Sequence, residues 1–552
     1  MKNKKWWQKA VFYQIYPRSF ADSSNNGIGD LQGIIKQLDY LQELGIDAIW
    51  LSPIFPSPQE DYGYDVSDYG TINSEYGTMA DFDELLEKTH SLGIKIILDM
   101  VLNHTSDQHP WFLEARTDRD NPKREWYIWK NGRNKRKKPP NNWKSIIGGS
   151  AWEWDKKTQQ FYLHQFLPCQ PDLNWRNNEV QETMFNYLRF WLDKGIDGFR
   201  LDIIHTLFED SGFRDNPRSW RLLPSANSTA YLFQKPKYTS FLGETINMCT
   251  RIRKLIDSYT PERMLVGEAT GGPRIFHSLY GKDNDGLNLV FNYKFRDQPF
   301  SAKKFKETIQ ETENILSEPL WPCYFFSNHD KARMISRYRN DEKKSKLLLF
   351  LLLTLRGTPF IYYGEELGMH QVKIPKQSLR DPIANLQVMR IPIGKFFGRD
   401  GCRTPMQWTS STRNAGFSSD PNTDPWLPVA KNSPIINVEK QKNDGKSMLT
   451  FFKRLIQFRK TKRALTQGSL KFFPVSNRNC LIFERRVETE RILVLLNFNK
   501  KGIQISNPYP SATKVFSTLN LDISLKTDRL VSLHPFEGLL LSYKGKNNIY
   551  AQ

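Results

Sequence analysis

The sequence predicts a (β/α)8 barrel with an inserted subdomain after its third strand and a C-terminal antiparallel β-sandwich domain. Apolar runs alternate with amphipathic segments through most of the 552 residues, which is typical of βα units around a parallel sheet. Eight of these runs are strand candidates. Near residue 464 the pattern changes to short alternating runs separated by Asn, Lys and Pro, which indicates antiparallel strands.

The eight predicted strands follow one another with helical segments between them. The strands are expected at residues 11–16, 48–53, 95–101, 198–203, 264–268, 287–293, 323–328 and 359–363. Helical periodicity at residues 31–44 and 79–92 is followed by Gly45 and Gly93, and glycine commonly ends helices. The apolar stretch 347–355 is too short to span a bilayer and is expected to form a barrel helix.

Two departures from the repeat predict the domain boundaries. Residues 104–173 are too long for a simple connection and are rich in Trp, Asn, Pro and Lys, so they are expected to form an inserted subdomain over the barrel mouth. The barrel then comprises residues 1–103 and 174–464, and residues 465–552 form the C-terminal β domain.

Composition and charge limit the compartment and the partners. The excess of 79 basic over 59 acidic residues gives a net charge of +20, but the densest basic run, residues 133–138, precedes a Pro-Pro-Asn-Asn segment typical of a solvated loop. No apolar run of signal-peptide length follows the charged first nine residues. The five scattered cysteines lack metal-ligand spacing and fit a reduced compartment. We therefore expect a cytoplasmic monomer or weak homo-oligomer without a nucleic-acid or membrane partner.

Three acidic residues follow predicted strands four, five and seven. These are Asp202, Glu268 and Asp330. The carboxyl ends of barrel strands meet at one face, where enzymes with this fold place their catalytic groups. Arg200 precedes Asp202 by two residues and so points the same way from the strand, which predicts that Asp202 stays ionised and can act as a nucleophile.

Four short segments resemble the signature regions of a known family. Residues 99–104, 198–202, 267–268 and 328–330 are similar, in this order, to the motifs of the α-amylase family of retaining glycoside hydrolases, family 13. Residues 170–175, 357–366 and 403–408 resemble its α-glucosidase and oligo-1,6-glucosidase branch. The resemblance extends from about residue 7 to residue 417.

The resemblance implies a role for each matching residue. Asp202 would be the nucleophile, Glu268 the acid/base, and Asp330 the carboxylate that stabilises the transition state. The implied substrate-binding residues are Asp61, Tyr64, His104, Phe166, Gln170, Arg200, His329 and Arg399. Among these, Asp61 and Arg399 match the pair that holds the non-reducing end of the substrate in exo-acting members.

The loop at residues 22–30 resembles the calcium loop of some family members. Its matching positions are Asp22, Ser24, Asn26, Ile28 and Asp30. Ser24 and Asn26 stand where stronger oxygen ligands are often found, and the loss of a carboxylate weakens a site for a hard cation. No cofactor is expected to be required. A weak structural calcium site and a capped turn are both compatible with the loop sequence.

These features predict a retaining, exo-acting α-glucosidase that hydrolyses terminal α-1,4- or α-1,6-linked glucose from short oligosaccharides. Ile203 resembles α-1,6-preferring relatives and His205 α-1,4-preferring ones, so the linkage stays open. The alternatives are a trehalose-6-phosphate hydrolase, which the basic run and net charge would suit, and a sucrose isomerase or transglycosylase. A non-catalytic glucosidase-like binding subunit is a further alternative, opposed by the retained acids and the lack of a membrane span.

Overall fold

A closed parallel barrel forms the centre of the molecule. The computed structural model describes residues 4–136, 138–223, 225, 227–385, 398–475, 477–519 and 525–543. The barrel strands are β1 (Phe12–Ile15), β2 (Ala48–Leu51), β3 (Lys95–Met100), β7 (Gly198–Leu201), β8 (Met264–Gly267), β9 (Leu289–Val290), β10 (Cys323–Phe325) and β11 (Thr358–Tyr362). They pair in parallel in the order β10-β11-β1-β2-β3-β7-β8-β9, and a parallel bridge between Phe291 and Cys323 joins the two edges. The predicted fold class is confirmed.

Helices cover the outside of the barrel and pack their apolar faces on it. The α-helices lie at Trp6–Lys9, Leu31–Lys36, Leu38–Leu44, Met79–Ser91, Pro110–Ala115, Arg133–Arg136, Asn178–Asp193, Gly243–Asp257, Pro273–Phe276, Tyr293–Arg296, Ala302–Ile315, Met334–Arg337, Glu342–Thr354, Val438–Lys442, Met448–Thr461 and Arg463–Gln467. The apolar stretch 347–355 lies almost entirely within one of them and is buried, as predicted. Among the described residues, no helix is both long and apolar enough to cross a membrane.

In two of the predicted elements a different local structure replaces part of the predicted range. The helical pattern 31–44 is divided at Gln37, whose backbone leaves the helical region (φ −105°, ψ 10°). The sixth strand was expected to reach residue 293, but the Asn292 side chain accepts from the Phe295 amide and caps a helix that begins at Tyr293. Tyr293 is therefore placed at a helix N-terminus above the end of β9.

The inserted subdomain contains a small antiparallel sheet. Its strands β4 (Trp129–Lys130), β6 (Gln160–Leu163) and β5 (Trp152–Asp155) pair in that order and cover a cluster that includes the buried Trp143. Phe213, from the long connection after β7, packs on the same cluster. The basic run 133–138 begins on a short helix of this subdomain. There, Arg133 Nη1 lies 3.8 Å from Asp215 Oδ2. Lys137 lies outside the described residues.

The C-terminal domain consists of two antiparallel sheets. Five strands pair in the order β12 (Ser469–Phe472), β13 (Cys480–Arg486), β14 (Arg491–Asn497), β18 (Gly538–Tyr543) and β16 (Thr513–Ser517). Strands β15 (Ile503–Ser506) and β17 (Leu530–Leu533) form the second sheet. Leu493 and Leu541 of the first sheet and Val531 of the second belong to one core, so the sheets pack face to face as a sandwich.

Candidate active site

The predicted carboxyl groups meet at the C-terminal mouth of the barrel. Asp202 and Glu268 directly follow the adjacent strands β7 and β8, and Asp99 lies near the end of the neighbouring β3. Gly198 is the first residue of β7. A Cβ at this position would lie 2.0 Å from the main-chain oxygen of Met264 in β8. A glycine at this position therefore allows the close strand pairing that brings Asp202 and Glu268 together.

Arg200 joins three of these carboxyl groups from the barrel interior. Its Nη1 donates to Asp99 Oδ1 at 2.7 Å and to Asp202 Oδ1 at 2.6 Å, and its Nη2 donates to Glu268 Oε2. The guanidinium is fully buried. One buried cation thus holds Asp202 and Glu268 on neighbouring nitrogens, which fixes their relative position.

The protonation of Asp202 differs from the expectation made from its arginine neighbour. Burial raises the pKa of Asp202 well above its usual value, Arg200 opposes the rise, and the charges of Glu268 and Asp99 add to it. Arg200 alone therefore does not decide the charge of Asp202. Three carboxylates around one guanidinium carry excess negative charge, and this charge adds to the effect of burial on the pKa of Asp202.

The turn after Asp202 is strained. Ile203 has a φ of +33° and a ψ of 39°, a left-handed conformation that is rare for β-branched residues and costs about 1–3 kcal/mol. The following His205 is buried, its Nε2 lies 3.2 Å from Thr270 Oγ1, and burial lowers its pKa to about 4. His205 is therefore neutral near pH 7 and lies close to the loop that carries Glu268.

A second arginine, Arg399, contacts three carboxylates on another wall of the site. Its Nη2 donates to Asp61 Oδ1 at 2.5 Å, its Nη1 to Asp330 Oδ1 at 3.2 Å, and its Nε to Asp381 Oδ1 at 3.1 Å. Burial raises the pKa of Asp330, but His329, Arg399 and Arg403 outweigh it and hold that pKa well below the usual value. Asp330 is accordingly a fixed anion.

The other predicted sugar-binding residues contact one another beside these carboxyl groups. The Tyr64 hydroxyl donates to Asp99 Oδ2 at 2.9 Å and lies 2.7 Å from His329 Nε2. Gln170 Nε2 donates to Asp61 Oδ2 at 3.1 Å and lies 3.2 Å from His104 Nε2. The structure therefore places these residues together, and their roles toward sugar stay predictions.

His104 and Phe166 continue this group of residues toward the inserted subdomain. The Phe166 ring packs on the His104 ring with centroids 5.3 Å apart. Burial lowers the pKa of His104 to about 4, so its imidazole is neutral at pH 7. A neutral imidazole both donates and accepts hydrogen bonds, which suits contacts with hydroxyl groups.

Two contacts in the site were not anticipated from the sequence. Asp381 accepts from the Nε, Nη2 and main-chain amide of Arg399, and the Tyr293 hydroxyl donates to Glu268 Oε1. Neither residue belongs to the segments that resemble family motifs. One sequence feature could have pointed to Tyr293, since it ends a predicted barrel strand. Asp381 lies in a loop where no sequence feature indicates a role in the site.

The loop at residues 22–30 forms a turn held by its own carboxylates. Asp22 Oδ1 accepts from the amides of Ser24 and Asn25 at 3.1 and 2.8 Å, and its Oδ2 accepts from the Gly27 amide at 2.8 Å. Asp30 Oδ1 caps the helix that begins at Leu31. Oxygens directed at main-chain amides are typical of a capped turn.

The remaining positions of this loop agree with a capped turn. The side-chain oxygen of Asn26 accepts from the Ile28 amide at 2.8 Å, and the Ser24 hydroxyl donates to Asp22 Oδ1 at 3.2 Å. Over the described residues, no group of three or more His, Cys, Asp or Glu side chains is arranged to hold a metal ion. Calcium binding by Asp22, Ser24, Asn26, Ile28 and Asp30 stays a prediction, and no chemistry is assigned to it.

A barrel with carboxyl groups at the C-terminal ends of its strands is the arrangement found in many glycoside hydrolases. A model of the α-amylase catalytic domain matches residues 14–468. The oligo-1,6-glucosidase of Parageobacillus thermoglucosidasius is 40% identical over 527 residues, which cover 90% of this chain and 91% of that protein. The chain therefore belongs to the α-amylase family, glycoside hydrolase family 13.

Solved structures agree with this assignment. The α-glucosyl transfer enzyme XgtA has a TM-score of 0.90 and 37% identity, and the match covers 98% of this chain and all of that one (100%). The trehalose-6-phosphate hydrolase TreA of Bacillus licheniformis has a TM-score of 0.86 and 35% identity, with the same coverage of both chains. The structural neighbours of this chain thus include enzymes with different activities.

Proposed function

We propose that this protein is a retaining, exo-acting α-glucosidase that releases terminal α-1,4- or α-1,6-linked glucose from short oligosaccharides. The observation that carries the proposal is the single Arg200 guanidinium that contacts both Asp202 and Glu268. It keeps the two groups close, and retaining enzymes of this kind have carboxyl groups about 5 to 5.5 Å apart. The similarity to an oligo-1,6-glucosidase supports the substrate class.

The chemistry proceeds in two displacements. In the first, Asp202 attacks the anomeric carbon while Glu268 gives its proton to the leaving oxygen, so one carbon–oxygen bond forms as another breaks. In the second, Glu268 takes a proton from water, and the water oxygen displaces Asp202 from the same carbon. Two inversions retain the α configuration.

Charge around the sugar stabilises the cationic transition state. Asp330 remains ionised beside Arg399 and Arg403 and faces the positive charge that develops on the ring. Asp61 and Arg399 form a buried ion pair. They match the pair that holds the non-reducing end of the substrate in exo-acting family members, which supports exo action on short substrates.

Product analysis tests this proposal directly. Purified protein is given maltose, isomaltose, sucrose, trehalose and trehalose 6-phosphate, and the anomer released first is identified by proton NMR. We expect α-glucose from maltose or isomaltose, with D202N reducing the rate on the order of 10⁴-fold. D83N, which removes an exposed carboxylate paired with Lys194, should retain activity. Initial release of the non-reducing unit as β-glucose, in excess of the β anomer already present in the reducing-end unit, or full activity in D202N, would contradict the proposal.

A second candidate is hydrolysis of trehalose 6-phosphate. Lys331 follows Asp330, and its Nζ lies 5.6 Å from the ring centroid of Tyr293, whose hydroxyl contacts Glu268. Among the described residues Lys331 forms no ion pair, so its charge is available to an anionic leaving group. Turnover of trehalose 6-phosphate well above that of trehalose would favour this candidate. Sucrose isomerisation, transglycosylation and a cytoplasmic location stay predictions.

A further inference from the structure

The carboxyl group of Glu268 has a second donor besides Arg200. The Tyr293 hydroxyl donates to Glu268 Oε1, while Arg200 Nη2 donates to Glu268 Oε2. Asn328 Nδ2 donates to the Tyr293 oxygen at 3.4 Å, and the Tyr293 ring packs edge-on against Phe325 with centroids 5.1 Å apart. The phenol is thus directed at the carboxyl group by contacts on both its oxygen and its ring.

Tyr293 acts as a donor in this contact. Burial raises the pKa of its phenol well above the usual value, and the charge of Glu268 raises it further. The phenol therefore keeps its proton at any pH where the enzyme works. Its O–H is available to the carboxyl oxygen throughout the reaction.

An ionised Glu268 accepts hydrogen bonds at both of its carboxyl oxygens. When Glu268 is protonated, one carboxyl oxygen carries the O–H that points at the leaving oxygen. This carboxyl oxygen then accepts less well from a neighbouring donor. As the proton moves to the leaving group, negative charge develops on the carboxylate and both hydrogen bonds strengthen. An interaction that strengthens toward the transition state accelerates the reaction.

We propose that the Tyr293 hydroxyl is a positioning residue that stabilises the Glu268 carboxylate as Glu268 gives its proton to the leaving group. The proposal rests on the proposed role of Glu268 as acid/base. The hydrogen bond from Tyr293 should accelerate the reaction of substrates whose leaving oxygen needs a proton, such as disaccharides. A leaving group that departs as a stable anion, such as 4-nitrophenolate, needs little help from Glu268 and hence from Tyr293.

The test compares Y293F with wild type on a disaccharide and on 4-nitrophenyl α-glucoside. We expect kcat/KM for the hydrolysed disaccharide to fall roughly 10- to 100-fold, the value of one hydrogen bond to a charged group, and that for the nitrophenyl substrate to fall less than about threefold. The alkaline limb of the disaccharide pH profile should move to higher pH. The ratio of the two kcat/KM values is independent of the fraction of folded enzyme, so a folding defect does not obscure the result.

A matched control removes a similar contact elsewhere. The Tyr259 hydroxyl donates to Asp193 Oδ1 at 2.8 Å on the exposed surface, and Y259F should leave both substrates and the pH profile unchanged. Equal losses on both substrates in Y293F, or no loss on the disaccharide, would overturn the inference.

A third variant separates this inference from the proposed function. E268Q should abolish disaccharide hydrolysis if Glu268 is the acid. If E268Q keeps that activity, the proposed function itself fails. If E268Q is inactive and Y293F equals wild type, only the role of Tyr293 fails.

Discussion

Arg200 and Arg399 each contact three carboxylates, but the two clusters are built differently. Arg200 and all of its carboxylates lie on barrel strands or at their ends. Arg399 gathers Asp61, Asp330 and Asp381 from separate loops. The first cluster contains the groups proposed to react, and the second contains groups proposed to bind the sugar.

The difference in charge balance explains the division of work. Arg200 is one cation among three carboxylates, and the pKa of Asp202 is raised by burial against its influence. The second cluster also has Arg403, which donates to Asp330 at 2.9 Å, and the pKa of Asp330 is held well below its usual value. With one cation, burial keeps the pKa of Asp202 raised, whereas with two arginines Asp330 keeps a permanent negative charge.

The largest expected effect comes from replacing the cation of the first cluster. R200K should reduce kcat/KM on the order of 10³-fold, because one ammonium lacks the planar fork that reaches Asp99, Asp202 and Glu268 together. Steady-state kinetics on the hydrolysed disaccharide measures the loss. R413K, at an exposed arginine paired with Asp424, is the control and should behave as wild type. A loss of less than tenfold in R200K would argue against the importance of this cluster.

A smaller effect is expected in the second cluster from D381N. Asp381 is buried and accepts from Arg399 at three nitrogens, so its neutralisation should let Arg399 turn away from Asp61 and Asp330. We expect KM to rise about tenfold with kcat changed less than about threefold. D424N, which removes the carboxylate of the exposed Arg413 pair, should leave both constants unchanged. A fall in kcat without a rise in KM would show that Asp381 does not act through binding.

A buried carboxyl group without an arginine sharpens the comparison through pH. Asp172 accepts from Asn103 Nδ2 at 3.0 Å, its Oδ2 has no hydrogen-bond partner within the described part of the chain, and burial raises its pKa to about 7. The folded protein therefore favours the protonated form, and ionisation of Asp172 in the unfolded chain reduces stability as pH rises from about 4 to 7.

D172N should remove this pH-dependent cost. We expect its melting temperature to exceed that of wild type by roughly 1 to 3 °C above pH 7, and the difference to shrink as the pH falls toward 4. Thermal unfolding followed by circular dichroism at several pH values measures the effect. D118N, at an exposed position, is the control. A difference that grows as the pH falls would contradict the assigned sign.

The smallest effect is expected at a carboxylate pair held by amides instead of arginine. Asp22 and Asp30 direct their oxygens at main-chain amides of the 22–30 turn. Millimolar calcium should therefore change the melting temperature by less than about 1 °C relative to chelator. A rise of several degrees that is lost in D22N would establish a calcium site that the turn geometry does not favour.

Much of the first cluster was predictable because its spacing is local. Residues two apart on a strand point to the same side, which placed Arg200 beside Asp202, and the barrel pattern placed the ends of β7 and β8 together. The predicted sixth strand was too long, because Asn292 caps a helix that begins at Tyr293. The contact of Tyr293 with Glu268 was therefore not predicted.

The sequence alone determined the barrel, the inserted and C-terminal domains, the family, and the three acids at strand ends, because these depend on strand and helix periodicity and on short motifs. Tertiary structure alone decided that Asp381 orients Arg399, that Tyr293 contacts Glu268, and that burial outweighs Arg200 at Asp202. Asp61 and Arg399 are 338 positions apart in the chain. Contacts over such separations, and the burial that sets a pKa, arise from how loops pack over the barrel mouth, and no local pattern encodes that packing.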